Sequence, residues 1–390
     1  MATLPPMDIY LVGGAIRDAL LNLPVRDRDW VVVGATPEAM AERGFMPVGR
    51  DFPVFLHPQT HEEYALARTE RKSAPGYRGF VIHAAPDVTL AQDLIRRDLT
   101  INAIAYPLDF DDSEGQFSLK KERFALSPTQ LIDPHGGQHD LKSKTLRHVS
   151  DAFREDPVRI LRVARFAARL PDFSVAPETL LLMREMVASG EADHLVPERV
   201  WQELANGLMT IAPVRMLDVL EDCGALARVA TGLVTSDNVM AAVTHSVTQH
   251  APLAVRFACL VHALPTRSAL AALCAQLRVP TDCKDLAELV WRERAHLLHG
   301  LDHTATQQLA LLERCDALRK PLRFAQALLA CECIEGASES AAATRLRLLH
   351  GLRRVQSVDT AAIAQTAQSA GQSGPQIGEM IRQARVNALE

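Results

Sequence analysis

The sequence has no excess of positive charge, no long apolar run and no CxxC motif. Asp and Glu number 47 against 42 Lys and Arg, which gives a formal net charge of −5. A protein that is basic throughout and binds nucleic acid by its overall charge is therefore excluded, although a local basic surface is not. Because no stretch reaches 18 apolar residues, we predict no transmembrane helix. The first residues lack a basic segment, which predicts that there is no signal peptide.

The seven cysteines contain one close pair, Cys331 and Cys333. This distribution excludes a disulfide-rich scaffold and predicts reduced thiols in a cytoplasmic protein. Hydrophobic residues make up 48% of the chain and charged residues 23%, which excludes a wholly disordered or collagen-like chain. A chain of 390 residues is too long for one compact core, so we expect two or three domains.

The two parts of the sequence follow different patterns. The first third alternates short strands with short helices, and the predicted strands cover residues 9–12, 29–33, 54–56 and 63–67. From about residue 150 the apolar spacing is helical, with Asp156 predicted as an N-cap and Pro157 as the first helical residue. We therefore predict an α+β fold in which a region containing a sheet precedes an all-helical C-terminal region.

Asp27 and Asp29 lie two residues apart at the start of a predicted strand. Side chains alternate along a strand, so both carboxylates should point to the same face. Adjacent carboxylates repel each other unless a cation lies between them, and Mg²⁺ prefers such oxygen ligands together with substrate phosphates. An isolated pair of this kind is more often simply exposed, so the neighbouring residues decide between the two interpretations.

Gly13 and Gly14 separate the first strand from the first helix, and Arg17 follows on the first helical turn. Glycine allows a ligand to approach the backbone closely, and the N–H groups at a helix start attract phosphate. Two glycines before a helix are weak evidence alone. Together with Arg17 and the two aspartates they indicate a site for a phosphorylated ligand and a metal.

A stripe of arginines marks the first long helix. Its members are spaced by three, three and four residues, which places them on one helix face: Arg159, Arg162, Arg165 and Arg169. Arginine rather than lysine favours bidentate recognition of phosphate or base edges. The alternative is a solvated helix face beside the core.

These motifs resemble the class II tRNA nucleotidyltransferases, the CCA-adding enzymes of the DNA polymerase beta-like nucleotidyltransferase superfamily. The first resembling segment is LVGGAIRDALLNLPVRDRDW, at residues 11–30. The others follow in order and with compatible spacing at residues 51–58, 64–72, 93–103, 133–137, 146–150 and 155–166. The resemblance covers roughly residues 8 to 225.

The resemblance implies template-independent addition and repair of the 3′-terminal CCA of tRNA from CTP and ATP, with release of pyrophosphate. Asp27 and Asp29 would be the catalytic residues and would hold Mg²⁺. The residues implied to position the triphosphate are Gly14, Arg17, Arg97, Arg162 and Arg165. Asp98 and Asn102 would support this site.

Base selection would belong to the segment Glu155–Arg159. There the resemblance implies that Asp156 and Arg159 pair with the edge of the incoming cytosine or adenine. A carboxylate can accept from the exocyclic amine that both bases carry, and an arginine can donate to their ring acceptors. The loop at residues 71–79 is implied to move between the C and A additions.

The implied organisation is an N-terminal mixed-sheet nucleotidyltransferase domain (1–142), a helical region that binds the base and tRNA (143–225) and a helical C-terminal region (226–390). The partners would be the tRNA 3′ end, CTP and ATP, without a membrane, and the chain would be a monomer or a homodimer. A third acidic metal ligand is not identified, with Glu62 and Glu63 as nearby candidates. The stretch at residues 107–131 resembles an insertion without a known role.

The C-terminal region departs from the longer relatives that carry an HD phosphohydrolase domain. His262 is present, but Ala263 occupies the place of the aspartate, and the further histidines are missing. We therefore predict a degenerate domain without phosphohydrolase activity. Other functions remain open: an enzyme that adds only A or only CC to tRNA, a poly(A) polymerase, or an inactive RNA-binding protein, against which the intact Asp27 and Asp29 argue.

Overall fold

The computed structural model describes residues 7–48, 53–72, 80–108, 126–300, 302–336 and 338–390. The chain divides into two compact units, one of Met1–Val200 with Asp218–Val229 and one of Trp201–Leu217 with Ala230–Glu390. The predicted domains 1–142, 143–225 and 226–390 stay a prediction. Among the described residues, no helix combines the length and apolar character that crossing a membrane requires.

The first unit contains a six-stranded mixed sheet. Its first five strands in chain order are β1 (Asp8–Val12), β2 (Asp29–Val33), β3 (Met46–Val48), β4 (Val54–Leu56) and β5 (Glu63–Leu66). A separate antiparallel pair is formed by β6 (Thr69–Lys72) and β7 (Phe80–His83), and β8 (Ala105–Leu108) completes the main sheet in the order β3-β4-β5-β2-β1-β8. Among the described strands of this sheet, only the β2–β5 pairing is parallel. The predicted strands and the mixed sheet are thus confirmed.

The central strand β2 explains why the sheet forms here. Trp30, Val31 and Val32 are all buried, as expected for a β-branched strand covered on both faces. Trp30 is in register with Tyr64 of β5, and their rings stack with centroids 5.5 Å apart. This aromatic pair fixes the pairing that places the start of β2 next to the start of β5.

Short helices surround the sheet and precede the helical part of the chain. Those of the N-terminal region are α1 (Gly14–Leu20), α2 (Pro37–Glu42), α3 (Leu90–Ile95), α4 (Gly137–Lys142), α5 (Val158–Arg169) and α6 (Pro177–Ala188). Thr36 accepts the Ala39 N–H, which confirms it as the N-cap of α2, with Pro37 at the first helical position.

Two details differ from the prediction in this region. Helix α5 begins at Val158 and has Pro157 at its N-cap, so the predicted start at Pro157 is one residue early. The Asp156 carboxylate still accepts the Val158 N–H, at 3.0 Å. In addition, residues 143–225 are not entirely helical, because β9 (Thr145–Leu146) and β10 (Ser174–Val175) form a short parallel pair.

The remaining elements confirm the all-helical C-terminal region. They are α7 (Pro197–Leu208), α8 (Pro213–Asp222), α9 (Leu226–Val229), α10 (Asp237–Thr248), α11 (Leu253–Val261), α12 (Arg267–Gln276), α13 (Thr281–Leu298), α14 (Ala305–Arg314), α15 (Pro321–Ile334), α16 (Glu339–Gln356), α17 (Thr360–Ser369) and α18 (Gly374–Asn387). Helix α11 is the centre of the second unit and packs against α10, α13 and α15. All seven cysteines are buried free thiols, as predicted.

Candidate active site

The first unit contains a cavity of about 580 Å³ at the edge of the sheet, between the β1–α1 turn, β2, β5 and helix α5. Four carboxylates line it: Asp29, Glu63, Asp98 and Asp156. Nine arginines line it as well: Arg17, Arg68, Arg96, Arg97, Arg159, Arg162, Arg165, Arg169 and Arg199. A chain with a net charge of −5 therefore concentrates positive charge in one place. Such a cavity favours a strongly anionic ligand.

The turn between β1 and α1 requires glycine. Gly13 has φ 70°, and a Cβ there would lie 3.0 Å from Nη1 of Arg97. The backbone conformation therefore favours glycine, and a Cβ at this position would also require the Arg97 guanidinium to shift. Gly14 lines the cavity beside this turn, where the sequence predicted it.

A chain of buried hydrogen bonds joins three of the predicted segments. Arg17 donates to Asn102 Oδ1 at 2.6 Å, and Asn102 donates from Nδ2 to Asp98 Oδ1 at 3.0 Å. Asp98 accepts from Nε of Arg162 through its other oxygen, at 2.7 Å. The glycine turn, the second motif and α5 are thus joined by one hydrogen-bonded network.

The charges within this network are balanced in pairs. Burial by itself would raise the pKa of Asp98, but Arg162 and the Asn102 hydrogen bond outweigh it and hold the pKa well below its usual range. Burial lowers the pKa of Arg17, whereas the neighbouring Asp18 carboxylate raises it. Asp98 therefore stays ionised and keeps Arg162 directed at the cavity.

Arg96 and Arg97 share one buried carboxylate. Asp93 is completely buried and pairs with Arg96 through one oxygen and with Arg97 through the other. Burial opposes its charge, but the two arginines, Arg97 above all, lower the pKa of Asp93. Arg97 is held where the sequence predicted it, at the wall of the cavity.

The predicted base-reading residues also line the cavity. Asp156 forms a bidentate ion pair with Arg199, whose nearer nitrogen lies 2.9 Å from Oδ2. Arg159 is 7% exposed and donates to the Ala152 carbonyl. Arg199 was not predicted from the sequence, because only the fold brings the start of α7 next to residue 156.

The two predicted catalytic aspartates lie at the start of β2, and both are exposed. Asp29, the first residue of the strand, lines the cavity, whereas Asp27 precedes the strand and is not among the lining residues. That the two carboxylates share one face stays a prediction. Asp29 has Glu63 as its register partner on β5, and both line the cavity. Glu62 has other contacts, since it accepts from Trp30 Nε1 at 3.1 Å.

These acids suit Mg²⁺ in chemistry but do not form a complete cage. Within the described ranges, no three His, Cys, Asp or Glu side chains are gathered as a metal site. Mg²⁺ usually takes one or two carboxylates and completes its shell with phosphates and water. Asp27 is two residues before Asp29 in sequence, and Glu63 is the register partner of Asp29 on β5. One or two carboxylates are therefore available here for a Mg²⁺ ion.

The remaining predicted features do not belong to this cavity. His262 is buried in the second unit, where Nδ1 lies 2.7 Å from the Cys259 carbonyl oxygen, and its burial lowers the pKa of the imidazole. Ala263 beside it is exposed. Residues 73–79 of the predicted moving loop and residues 109–125 of the predicted insertion lie outside the described residues.

Two family models match the N-terminal part of the chain. The model for the "Poly A polymerase head domain" matches residues 9–147. The model for the "Probable RNA and SrmB- binding site of polymerase A" matches residues 172–233. The first match covers the sheet and the cavity residues before α5, and the second covers helices that follow α5.

Curated relatives match nearly the whole chain. The "Multifunctional CCA protein" of Paracidovorax citrulli (strain AAC00-1) is 55% identical, with 98% of this chain and 97% of that protein covered. The protein of the same name from Variovorax paradoxus (strain S110) is 54% identical, with 98% and 99% covered. The first alignment runs over 422 positions, more than the 390 residues of this chain, so that relative has segments that this chain lacks.

Solved structures share the fold at low identity. One described as "The complex structure of CCA-adding enzyme with ATP" has a TM-score of 0.70 and 20% identity, with 98% of this chain and 86% of that chain covered. Another, "The complex structure of CCA-adding enzyme with CTP", has a TM-score of 0.71 and 19% identity over the same shares. At these identities the likeness establishes the fold alone.

Proposed function

The chain belongs to the family of the multifunctional CCA proteins, and we propose that it adds and repairs the 3′-terminal CCA of tRNA from CTP and ATP, releasing pyrophosphate. The observation that carries this proposal is the cavity, in which nine arginines surround a space of about 580 Å³ with Asp29 and Glu63 at one edge. Its size and charge suit a nucleoside triphosphate. The seven free thiols are consistent with a cytoplasmic enzyme.

We infer that the triphosphate lies against Gly14, Arg17, Arg97, Arg162 and Arg165. Guanidinium groups donate in a planar fork that matches phosphate oxygens. Because Arg162 is held by Asp98 and Arg97 by Asp93, these two donors are already oriented before the nucleotide binds. Such preorganisation lowers the entropic cost of positioning the α-phosphate for attack.

The reaction forms a bond between the tRNA 3′-oxygen and the α-phosphorus and breaks the bond to pyrophosphate, while the hydroxyl loses its proton. We propose that Asp29 holds Mg²⁺ at this end of the cavity, with Asp27 and Glu63 as further carboxylates. A bound Mg²⁺ supplies Lewis-acid chemistry, since it offsets phosphate charge and makes the hydroxyl easier to deprotonate. The arginines stabilise the charge that develops on the leaving pyrophosphate.

Base selection falls to Asp156 and Arg159 in this proposal. Asp156 accepts from Arg199 and from the Val158 N–H, so its orientation is fixed, and each carboxylate oxygen has two lone pairs. The remaining lone pair of Oδ2 can accept from the exocyclic amine of cytosine or adenine. Uracil and guanine present a carbonyl oxygen at that position, which a carboxylate repels.

The experiment that tests the function is nucleotide incorporation with Mg²⁺. Three tRNA substrates are needed, one without its last three nucleotides, one ending in C and one ending in CC, each with CTP, ATP or both. We expect growth by C, C and A that then stops. Addition of A alone or of CC alone would replace the proposal by an enzyme of split specificity. A long run of A would assign the chain to the poly(A) polymerases, whose head-domain model it matches.

We further propose that the second unit has no phosphohydrolase activity. A site of that kind needs a His-Asp pair and further imidazoles, but Ala263 follows His262, and His262 hydrogen-bonds to the main chain inside the core. Release of p-nitrophenol from p-nitrophenyl phosphate, with Mg²⁺, Mn²⁺ or Ni²⁺, measures the activity. Preparations that incorporate nucleotides should show no metal-dependent release, and such release would contradict the proposal.

A further inference from the structure

The ring of Phe166 lies among the arginines of the cavity. Phe166 belongs to α5, lines the cavity and is 3% exposed. Cζ of Arg17 is 4.9 Å from the ring centroid and Cζ of Arg165 is 4.8 Å from it, while Cζ of Arg162 is 5.9 Å away. All three guanidinium groups are within the distance at which a cation is attracted to an aromatic face.

These contacts join two elements that are far apart in sequence. Arg17 is on α1, directly after the glycine turn, whereas Phe166, Arg162 and Arg165 are on α5. Three guanidinium groups around one ring repel one another, and the Asp18 and Asp98 carboxylates offset part of this repulsion through their ion pairs with Arg17 and Arg162. The ring adds an attraction for the cations that is independent of these ion pairs.

A ring holds a guanidinium differently from a carboxylate. A carboxylate accepts from the N–H groups and so uses the donors that a phosphate would need. An aromatic face attracts the plane of the guanidinium and leaves the N–H groups at its edge directed sideways. A ring therefore orients a guanidinium without occupying its N–H groups, and at Arg17 it acts beside the donation to Asn102 and the ion pair with Asp18.

We propose that Phe166 is a positioning residue for the triphosphate, because its ring orients the guanidinium groups of Arg17 and Arg165 towards the phosphates. This inference rests on the proposed function only for the identity of the ligand, a nucleoside triphosphate. Since every nucleoside triphosphate has the same phosphate chain, the effect of Phe166 should be equal for CTP, for ATP and for inorganic tripolyphosphate. Base selection should not depend on it.

The test replaces Phe166 with 4-fluoro-, 3,5-difluoro- and 3,4,5-trifluorophenylalanine. Fluorine withdraws electron density from the ring face and weakens cation–π attraction, while the shape and apolar character of the ring change little. We expect the Kd for tripolyphosphate to rise step by step, to a total of about threefold to tenfold, with the same rise for CTP and ATP. Isothermal titration calorimetry measures all three ligands.

A matched control uses Phe153, which is fully buried in the same unit and packs against His148 instead. Its trifluoro form should bind all three ligands as the unmodified protein does. Steady-state kinetics adds a second readout: along the Phe166 series kcat/KM should fall by the same factor for CTP and ATP, because the arginines contact the phosphate chain that the two nucleotides share. Thermal unfolding confirms that every form is folded.

Equal affinity across the Phe166 series would overturn the inference, because a ring that only fills space does not respond to fluorine. A rise for one nucleotide only would also overturn it. Failure of the unmodified protein to incorporate C and A would instead count against the proposed function. The tripolyphosphate series would still decide the role of Phe166, so the two failures are distinguishable.

Discussion

Asp29 and Glu63 are register partners in the parallel pairing of β2 with β5. Their side chains therefore lie on the same face of the sheet, at the edge of a cavity that both line. Glu62 is adjacent in sequence but contacts Trp30 and Arg28 instead. Between the two glutamates that the sequence left open, this register favours Glu63 as the further acid at the metal site.

Glu63→Gln should reduce incorporation more than Glu62→Gln does. If Glu63 helps to hold Mg²⁺, removal of its charge should raise the Mg²⁺ concentration needed for half-maximal rate by on the order of 10-fold to 100-fold. Glu62→Gln is the matched control, because it makes the same chemical change one residue away. Identical Mg²⁺ titrations for the two variants would remove Glu63 from the site.

Asp29→Asn should abolish incorporation while tRNA binding survives. The carboxylate is required for the reaction at the phosphate, whereas tRNA binding depends on charge and shape elsewhere. We expect kcat to fall by about 10³-fold or more, with the tRNA Kd from filter binding nearly unchanged. Asp27→Asn is predicted to act in the same way. Full incorporation by either variant would show that its metal assignment is wrong.

The stability of the first unit should depend on pH through Asp98. Its pKa is lowered in the folded protein, so its ion pair with Arg162 stabilises the fold fully above the unfolded-state pKa of about 3.9. The contribution is lost as the pH falls below that value towards the lower folded pKa. Near pH 7, Asp98→Asn should reduce the free energy of unfolding by about 1.5–3 kcal/mol, since the Arg162 side chain left behind is partly exposed.

Urea unfolding at several pH values measures this effect. The difference between wild type and Asp98→Asn should be constant from neutral pH down to about pH 5 and should shrink below about pH 4. Asp316→Asn is the control, because Asp316 also has a lowered pKa but belongs to an ion pair in the second unit that is more exposed. A pH-independent difference for Asp98→Asn would contradict the assignment.

Arg199→Lys should impair base selection and leave phosphate binding intact. Lysine keeps the charge but cannot form the bidentate pair that orients Asp156. We expect KM for CTP and ATP to rise about tenfold, with more incorporation of UTP, while the Kd for tripolyphosphate stays unchanged. An equal loss for tripolyphosphate would place Arg199 at the triphosphate instead.

The sequence alone determined the fold class, because strand and helix periodicity are local. The strands at 29–33 and 54–56 and the N-cap Thr36 follow from such patterns. The short parallel pair β9–β10 was not predicted, because each strand has two residues and the pair joins distant segments where the fold buries Leu146. Burial of that kind is a tertiary property that a local pattern does not contain.

For the site, the sequence identified the arginines on α5 and Asp29, because each belongs to a short motif with fixed spacing. Only the tertiary structure decided that Glu63 partners Asp29, that Arg199 holds Asp156 and that Phe166 lies among the arginines. Strand register and helix packing set these contacts, and both arise from residues distant in sequence meeting during folding, which no spacing within one segment can encode.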